Sequence, residues 1–195
     1  MKIVLASTSK QKNDILDIAH IKHIQLAGDF EETRKENENV YKYVQRMSYG
    51  KAKSIESKCK DSIIIGLDTV CCAKGQILGK PKDIEEEKRN IKMCQGSKAK
   101  VITGITVINQ KTKQEITTIA QTIIKMQKIT DEEIDYYLKN EPDWKYAAGF
   151  IIETILSNFI KEIKGSYYNI LGTPVETIYP ILKGMGYMLG NSGDK

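Results

Sequence analysis

Residues 62–72 read Ser62-Ile63-Ile64-Ile65-Gly66-Leu67-Asp68-Thr69-Val70-Cys71-Cys72, a β-rich run interrupted only at Gly66 and Asp68. The end of a core strand is where open α/β folds present catalytic or metal-binding groups, and Asp68 stands where the apolar part ends. A turn-forming aspartate is the alternative, and Thr69-Val70 weaken it because the strand pattern continues. Upstream, Ile3-Val4-Leu5-Ala6 reads as a short buried strand that runs into Ser7-Thr8-Ser9 and a helix pattern through Ile15, Leu16 and Ile18. Val40, Val44, Met47, Ala52 and Ile55 mark one face of a second helix.

Downstream, a further strand begins near Gln76. Asp83-Ile84-Glu85-Glu86 and Thr130-Asp131-Glu132-Glu133 carry the spacing of capping boxes and mark two helix starts. Val101 to Ile108 and Ile116 to Met126 flank the turn-like Asn109 to Lys113, as in a long antiparallel hairpin. Phe159 to Ile163 offers another strand, and Pro174 opens a last helix through Ile178 and Leu182.

A length of 195 residues fits one domain, expected over 1–189, with 190–195 as a frayed tail. Hydrophobic residues at 41% and charged residues at 28% exclude collagen-like, heptad-dominated and wholly disordered classes. The net charge of +5 is spread along the chain, which suits an anionic ligand without demanding nucleic acid. Cys59, Cys71, Cys72 and Cys94 lack zinc or redox-motif spacing and fit reduced thiols in the cytoplasm. No apolar stretch has the length of a signal peptide or a membrane span.

Ser7-Thr8-Ser9, where strand meets helix, is either a phosphate cradle or an N-cap, with Lys10 and Lys12 beside it. Lys51 lies close to the apolar stripe of its helix, where an ammonium either snorkels or meets an anion. Gly79-Lys80-Pro81 holds a lysine in a rigid turn, compatible with phosphate contact or with an ordinary surface loop. Asp29, Glu31 and Glu32 form an acidic cluster that suits Mg²⁺ with substrate phosphates or a solvated charge run. His20 and His23 show no convincing partners, and no GxxxxGK[ST] loop or GxGxxG fingerprint is present.

In this order, Leu5-Ala6-Ser7-Thr8-Ser9, Gly50-Lys51-Ala52, Ile65-Gly66-Leu67-Asp68-Thr69-Val70, Leu78-Gly79-Lys80-Pro81-Lys82-Asp83, Ile102-Thr103-Gly104, Gly165-Ser166-Tyr167-Tyr168-Asn169 and Gly172-Thr173-Pro174 resemble the Maf family of nucleotide pyrophosphatases. The resemblance implies an α/β fold of the inosine-triphosphatase-like kind, with a mixed elongated sheet, two lobes around a central cleft, and a homodimer. It implies hydrolysis of a nucleoside triphosphate between the α and β phosphates with Mg²⁺ or Mn²⁺, acting on noncanonical or modified nucleotides as a house-cleaning enzyme. Carried over by residue, Ser7 and Ser9 correspond to the phosphate-binding turn, Glu32 and Asp68 to the metal and water-activating carboxylates, and Lys51 and Lys80 to phosphate-binding lysines. Thr69 matches the neighbour of the catalytic aspartate.

Two departures bear on chemistry. The family's Pro-Arg-Arg after the serine turn is Lys10-Gln11-Lys12 here, so the point charge of Lys12 replaces a guanidinium fork. Glu153 stands where the family commonly has Gln. An ionised carboxylate only accepts hydrogen bonds, which favours the paired donors of guanine-type bases over uracil or thymine, the alternative being a solvated loop residue without base contact. Asp68-Thr69, in contrast, looks like the branch active on dTTP and UTP. A nucleotide-binding regulatory protein without turnover is the alternative reading, on the missing arginines. An RNA-binding module finds no RNP-like signature.

Overall fold

The computed structural model describes residues 1–146 and 151–190. The expected tail beyond Gly190, and residues 147–150 ahead of Glu153, lie outside the described residues. The elements run β1 (Lys2–Ala6), α1 (Lys10–Ile18), β2 (Ile24–Gln25), α2 (Val40–Ser54), β3 (Ser62–Ala73), β4 (Gln76–Leu78), α3 (Ile84–Cys94), β5 (Lys98–Asn109), β6 (Gln114–Met126), α4 (Asp131–Asn140), β7 (Ile160–Lys164), α5 (Tyr167–Ile170) and α6 (Val175–Gly184). Seven strands pair in the order β2-β1-β3-β5-β6-β7, with β4 beside β3. The fold is therefore mixed α/β, as expected.

The chain packs as two compact units. The first comprises Met1–Thr69, Ile102–Ala120 and the segment from Ser166 on; the second comprises Val70–Val101 and Gln121–Gly165. In the first, β1 runs parallel to β3 from Lys2↔Ser62 to Ala6↔Gly66. Alternation along the strands sends Ile3, Leu5, Ile63, Ile65 and Leu67 into one layer with Leu16, Ile178 and Leu182. Val4, Ala6 and Ile64 face the other way, against Ala52 of α2 and Ile55 just after it. Each fully buried Ile or Leu contributes about 1.5–3 kcal/mol, so burial on both faces sets this register. β5 and β6 are neighbours joined by four residues, a connection short enough only for antiparallel strands.

The second unit carries α3 and α4, whose starts follow the expected capping logic. Thr130 and Glu133 form a reciprocal capping box. At α3 the Asp83 side chain accepts from the Glu86 N–H, while Glu86 reaches back to the Lys82 N–H instead of that of Asp83. β7 pairs with β6 through a register shift beside Lys125 and Met126. None of the four cysteines forms a disulfide. Sequence periodicity does not reveal the two-residue β2 or the one-turn α5, which are too short to show a period. The β-rich run, whose apolar pattern is interrupted at Gly66 and Asp68, forms one strand that continues through Thr69-Val70 as expected, with the sheet neighbours and α2 supplying the packing those two residues lack.

Candidate functional site

In the first unit, β1 ends at Ala6, opposite Gly66, and its chain turns away into Ser7–Ser9. Asp68 lies two residues further along β3, beyond the carboxyl end of its parallel neighbour. That is the position where open α/β sheets leave a crevice. Asp68 shares a face with Ile64 and Gly66, the face that α2 covers. A Cβ at Gly66 would lie 2.1 Å from the Ser48 carbonyl oxygen, and one at Gly104 would lie 2.0 Å from the Val44 carbonyl oxygen. Only glycine lets the α2 backbone approach this closely, and Ser48 Oγ pairs with Thr106 Oγ1 at 3.0 Å in the gap. Val44, Ser48 and Ala52, four residues apart, thus rest on the sheet, and Lys51 is aimed along it.

Lys51 Nζ donates to Asp68 Oδ1 at 2.6 Å and lies 3.0 Å from Glu32 Oε2. The Asp68 side chain is 10% exposed and that of Glu32 55%. One carboxylate is therefore embedded, and the other stands at the solvent side of the same ammonium. Burial works against the charge on Lys51, yet Asp68 and Glu32 hold its pKa above the ordinary lysine value. Tyr43 is shifted upward by burial and by the same two carboxylates.

The serine turn is an N-cap and also an array of donors. Ser9 caps α1, its Oγ accepting from the Lys12 N–H at 3.4 Å, and Ser7 Oγ accepts from the Ser9 N–H at 3.1 Å. Acceptor roles leave each hydroxyl its own proton to give to an anion. Gln25 pins the turn by donating to the Ser9 carbonyl. Gly172, with φ of +82°, closes the same region: a Cβ there would lie 3.0 Å from Thr69 Oγ1 and 3.1 Å from Lys12 Cε. Lys12 and Thr69 are therefore neighbours, and Thr69 is braced by Thr103 Oγ1 at 3.0 Å.

The structure brings Ser7, Ser9, Lys12, Glu32, Lys51, Asp68 and Thr69 into one unit. Lys80 and Glu153 belong to the second, each exposed there. The acidic cluster divides: Glu32 meets Lys51, whereas Glu31 accepts from the Thr33 hydroxyl. His23, read as lacking partners, has two within hydrogen-bond distance and the Asp17 carboxylate 3.6 Å away. Its Nδ1 lies 2.8 Å from the Ile21 carbonyl and its Nε2 lies 3.0 Å from Asn13 Oδ1, which ties it to α1 as a packing residue. Among the described residues no three His, Cys, Asp or Glu side chains gather as a metal cage. The oxygen pair of Glu32 and Asp68 nevertheless suits a hard cation that takes its remaining ligands from phosphate and water.

Three contributors carried no sequence signal. Tyr43 donates to the Glu32 carbonyl at 3.3 Å, Phe30 packs where a Cβ on Gly50 would lie 2.1 Å from its ring, and Arg46 binds Glu38. Each joins a helix to an irregular loop, and no helical or strand spacing announces such a pair.

The family described as Maf-like protein matches residues 2–185. The chain belongs to the Maf family. Three similar relatives are named dTTP/UTP pyrophosphatase. That of Syntrophus aciditrophicus (strain SB) is 31% identical over 194 residues, spanning 100% of this chain and 94% of the relative. That of Clostridium botulinum (strain Eklund 17B / Type B) is 36% identical over 185 residues, 94% and 98% of the two chains. That of Clostridium novyi (strain NT) is 34% identical over 191 residues, 97% and 100% of the two chains. In this Maf chain the residues around Ser7, Lys51 and Asp68 lie well inside the matched stretch, which runs through both compact units.

Proposed function

We propose that the chain is a nucleoside triphosphate pyrophosphatase that hydrolyses the α–β phosphate bond to give the monophosphate and pyrophosphate. The observation that carries the reading is the Lys51 ammonium held between Asp68 and Glu32 at the end of β1, beside the serine turn. The names of its relatives support the same chemistry. A regulatory protein without turnover is not favoured, since the carboxylates and the lysine are all retained.

In the proposed mechanism the Ser7 and Ser9 hydroxyls and the N-terminus of α1 hold phosphate oxygens, with Lys12 and Lys51 supplying positive charge. Asp68, whose side chain is nearly buried, accepts a proton from the attacking water. The water oxygen bonds to the α phosphorus, and the bond to the bridging oxygen breaks with its electron pair leaving on pyrophosphate. Glu32 and Asp68 would hold Mg²⁺ or Mn²⁺, which when bound supplies further neutralisation of phosphate charge. For Lys80 and Glu153, in the second unit, the proposed phosphate and base roles rest on the family resemblance alone.

We infer one functional domain over 1–189, a cytoplasmic enzyme and a homodimer, acting on nucleotides free of nucleic acid and membrane. Among the described residues no helix is long and apolar enough to cross a membrane. The relatives' names and Asp68-Thr69 weigh toward pyrimidine triphosphates, and Glu153 weighs toward guanine-type bases. A pyrophosphate-release screen over dTTP, UTP, GTP and 7-methyl-GTP with Mg²⁺ or Mn²⁺ tests both levels. Release from at least one triphosphate is expected, with dTTP or UTP preferred. Release of orthophosphate alone, or no release, would overturn the activity, and a guanine preference reversed by Glu153→Gln would overturn the pyrimidine assignment.

A further inference from the structure

We propose that Arg46 is a positioning residue that holds the loop between β2 and α2 so that Glu32 faces Lys51. This rests on the reading of Glu32 as a site carboxylate. From Gly28 to Glu38 the chain forms no helix or strand, and it runs back along α2 toward the start of that helix. A Cβ on Gly28 would meet Ser54 Oγ at 1.8 Å, and Phe30 lies over Gly50. Beyond Phe30 the attachment is polar. Tyr43 donates to the carbonyl of Glu32, and an Arg46 Nη donates to the carbonyl of Thr33 at 3.0 Å. Two successive carbonyls are thereby fixed, which determines where the Glu32 side chain leaves the loop. The anchors Tyr43, Arg46, Gly50 and Ser54 follow helical spacing and form one stripe of α2, beside the stripe that carries Lys51.

Arg46 closes the loop at its other end. Its Nε donates to Glu38 Oε1 at 2.7 Å and an Nη donates to Glu38 Oε2 at 2.6 Å, a two-pronged fork that a lysine cannot reproduce. The Glu38 side chain is 9% exposed and that of Arg46 29%, so the pair is partly exposed to solvent screening and it is the two-pronged geometry that holds it. The Arg46 guanidinium holds the Glu38 carboxyl at about 2, so the fork persists through the neutral range. Glu38 also accepts from the Lys35 N–H, and its carbonyl accepts from Arg34. Arg46 is therefore engaged by this loop, and its guanidinium is not part of the cationic set assigned to phosphate. Its loss is expected in kcat, with little change in KM.

The test combines limited trypsin digestion with kinetics of pyrophosphate release for Arg46→Ala, Arg46→Lys, Glu32→Gln and Arg46→Ala/Glu32→Gln. Arg34 and Lys35 lie in the loop and report its opening. The expected result is faster cleavage after Arg34 or Lys35 in Arg46→Ala at an unchanged melting temperature. It comes with a kcat roughly tenfold lower, a KM within about twofold, an intermediate Arg46→Lys, and no additional loss in the Glu32→Gln background. Unchanged cleavage, or a loss that multiplies with that of Glu32→Gln, would overturn the proposal. A neutral Glu32→Gln in an active enzyme would overturn it while leaving the activity standing. An inert wild type would instead remove the activity, and the trypsin result would then decide whether Arg46 holds the loop.

Discussion

The Lys51 ammonium sits 2.6 Å from the Asp68 carboxylate, joining the last turn of α2 to the middle of β3. The contact depends on how deeply α2 lies on the sheet, and that depth depends on two glycines. Removing the carboxylate charge while keeping its shape isolates its chemistry. Asp68→Asn is expected to lower turnover on the order of 10²–10⁴-fold with the circular dichroism spectrum retained. Turnover within a few-fold of wild type would remove Asp68 from the reaction.

The glycines themselves are testable. Gly66→Ala places a methyl group 2.1 Å from the Ser48 carbonyl, so α2 must lift. A loss of about 1–3 kcal/mol in urea unfolding is expected, together with lower activity as Lys51 withdraws from Asp68. Full stability in the variant would show that α2 tolerates displacement.

Lys51→Ala and Lys80→Ala each remove a proposed phosphate cation. Losses in kcat/KM of roughly 10²-fold are expected for each, without unfolding. Steady-state kinetics with the preferred triphosphate checks this, and unchanged constants in either variant would remove that lysine from the site.

The second unit supplies a pH dependence unrelated to catalysis. Glu87 is fully buried, and burial raises its pKa from the ordinary 4.5 to about 8, with Asn90 opposing and Glu86 adding to the rise. Tyr137 from α4 and Cys71 from β3 face the same carboxyl, and both are themselves shifted upward. Because the folded state binds this proton more tightly, its contribution is complete below pH 4.5 and is lost as pH rises toward 8. Urea unfolding at pH 5, 6.5 and 8 should show wild type losing stability relative to Glu87→Gln by up to about 1.4 kcal/mol per pH unit. Parallel curves for the two proteins would contradict it.

Most of the framework was legible because its signals are local. The capping residues Asp83 and Thr130, the stripe of α2 and the aliphatic run of β3 each act within one turn or one strand. Lys51 and Asp68 were legible as suspects, but their pairing was not, since it follows from the backbone approach at Gly66 and Gly104. Arg46 and Glu38 were invisible for a related reason: one lies on a helix and the other on an irregular loop, so no period links them. Ile18, counted as part of the apolar face of α1, is exposed, because that short helix buries only Ile15 and Leu16.

The parallel pairing of β1 with β3 joins Lys2 to Ser62, so β1, which finds β2 some twenty residues on, waits some sixty residues for its other neighbour. The β5–β6 hairpin closes through four residues and can form as soon as it emerges. Closing the long intervening loop costs entropy before any contact rewards it. The serine turn and Asp68 come together only when that distant pairing is made. A nascent chain therefore carries its serine turn without Asp68 beside it until β3 has been translated, and under the proposed function no activity precedes that pairing.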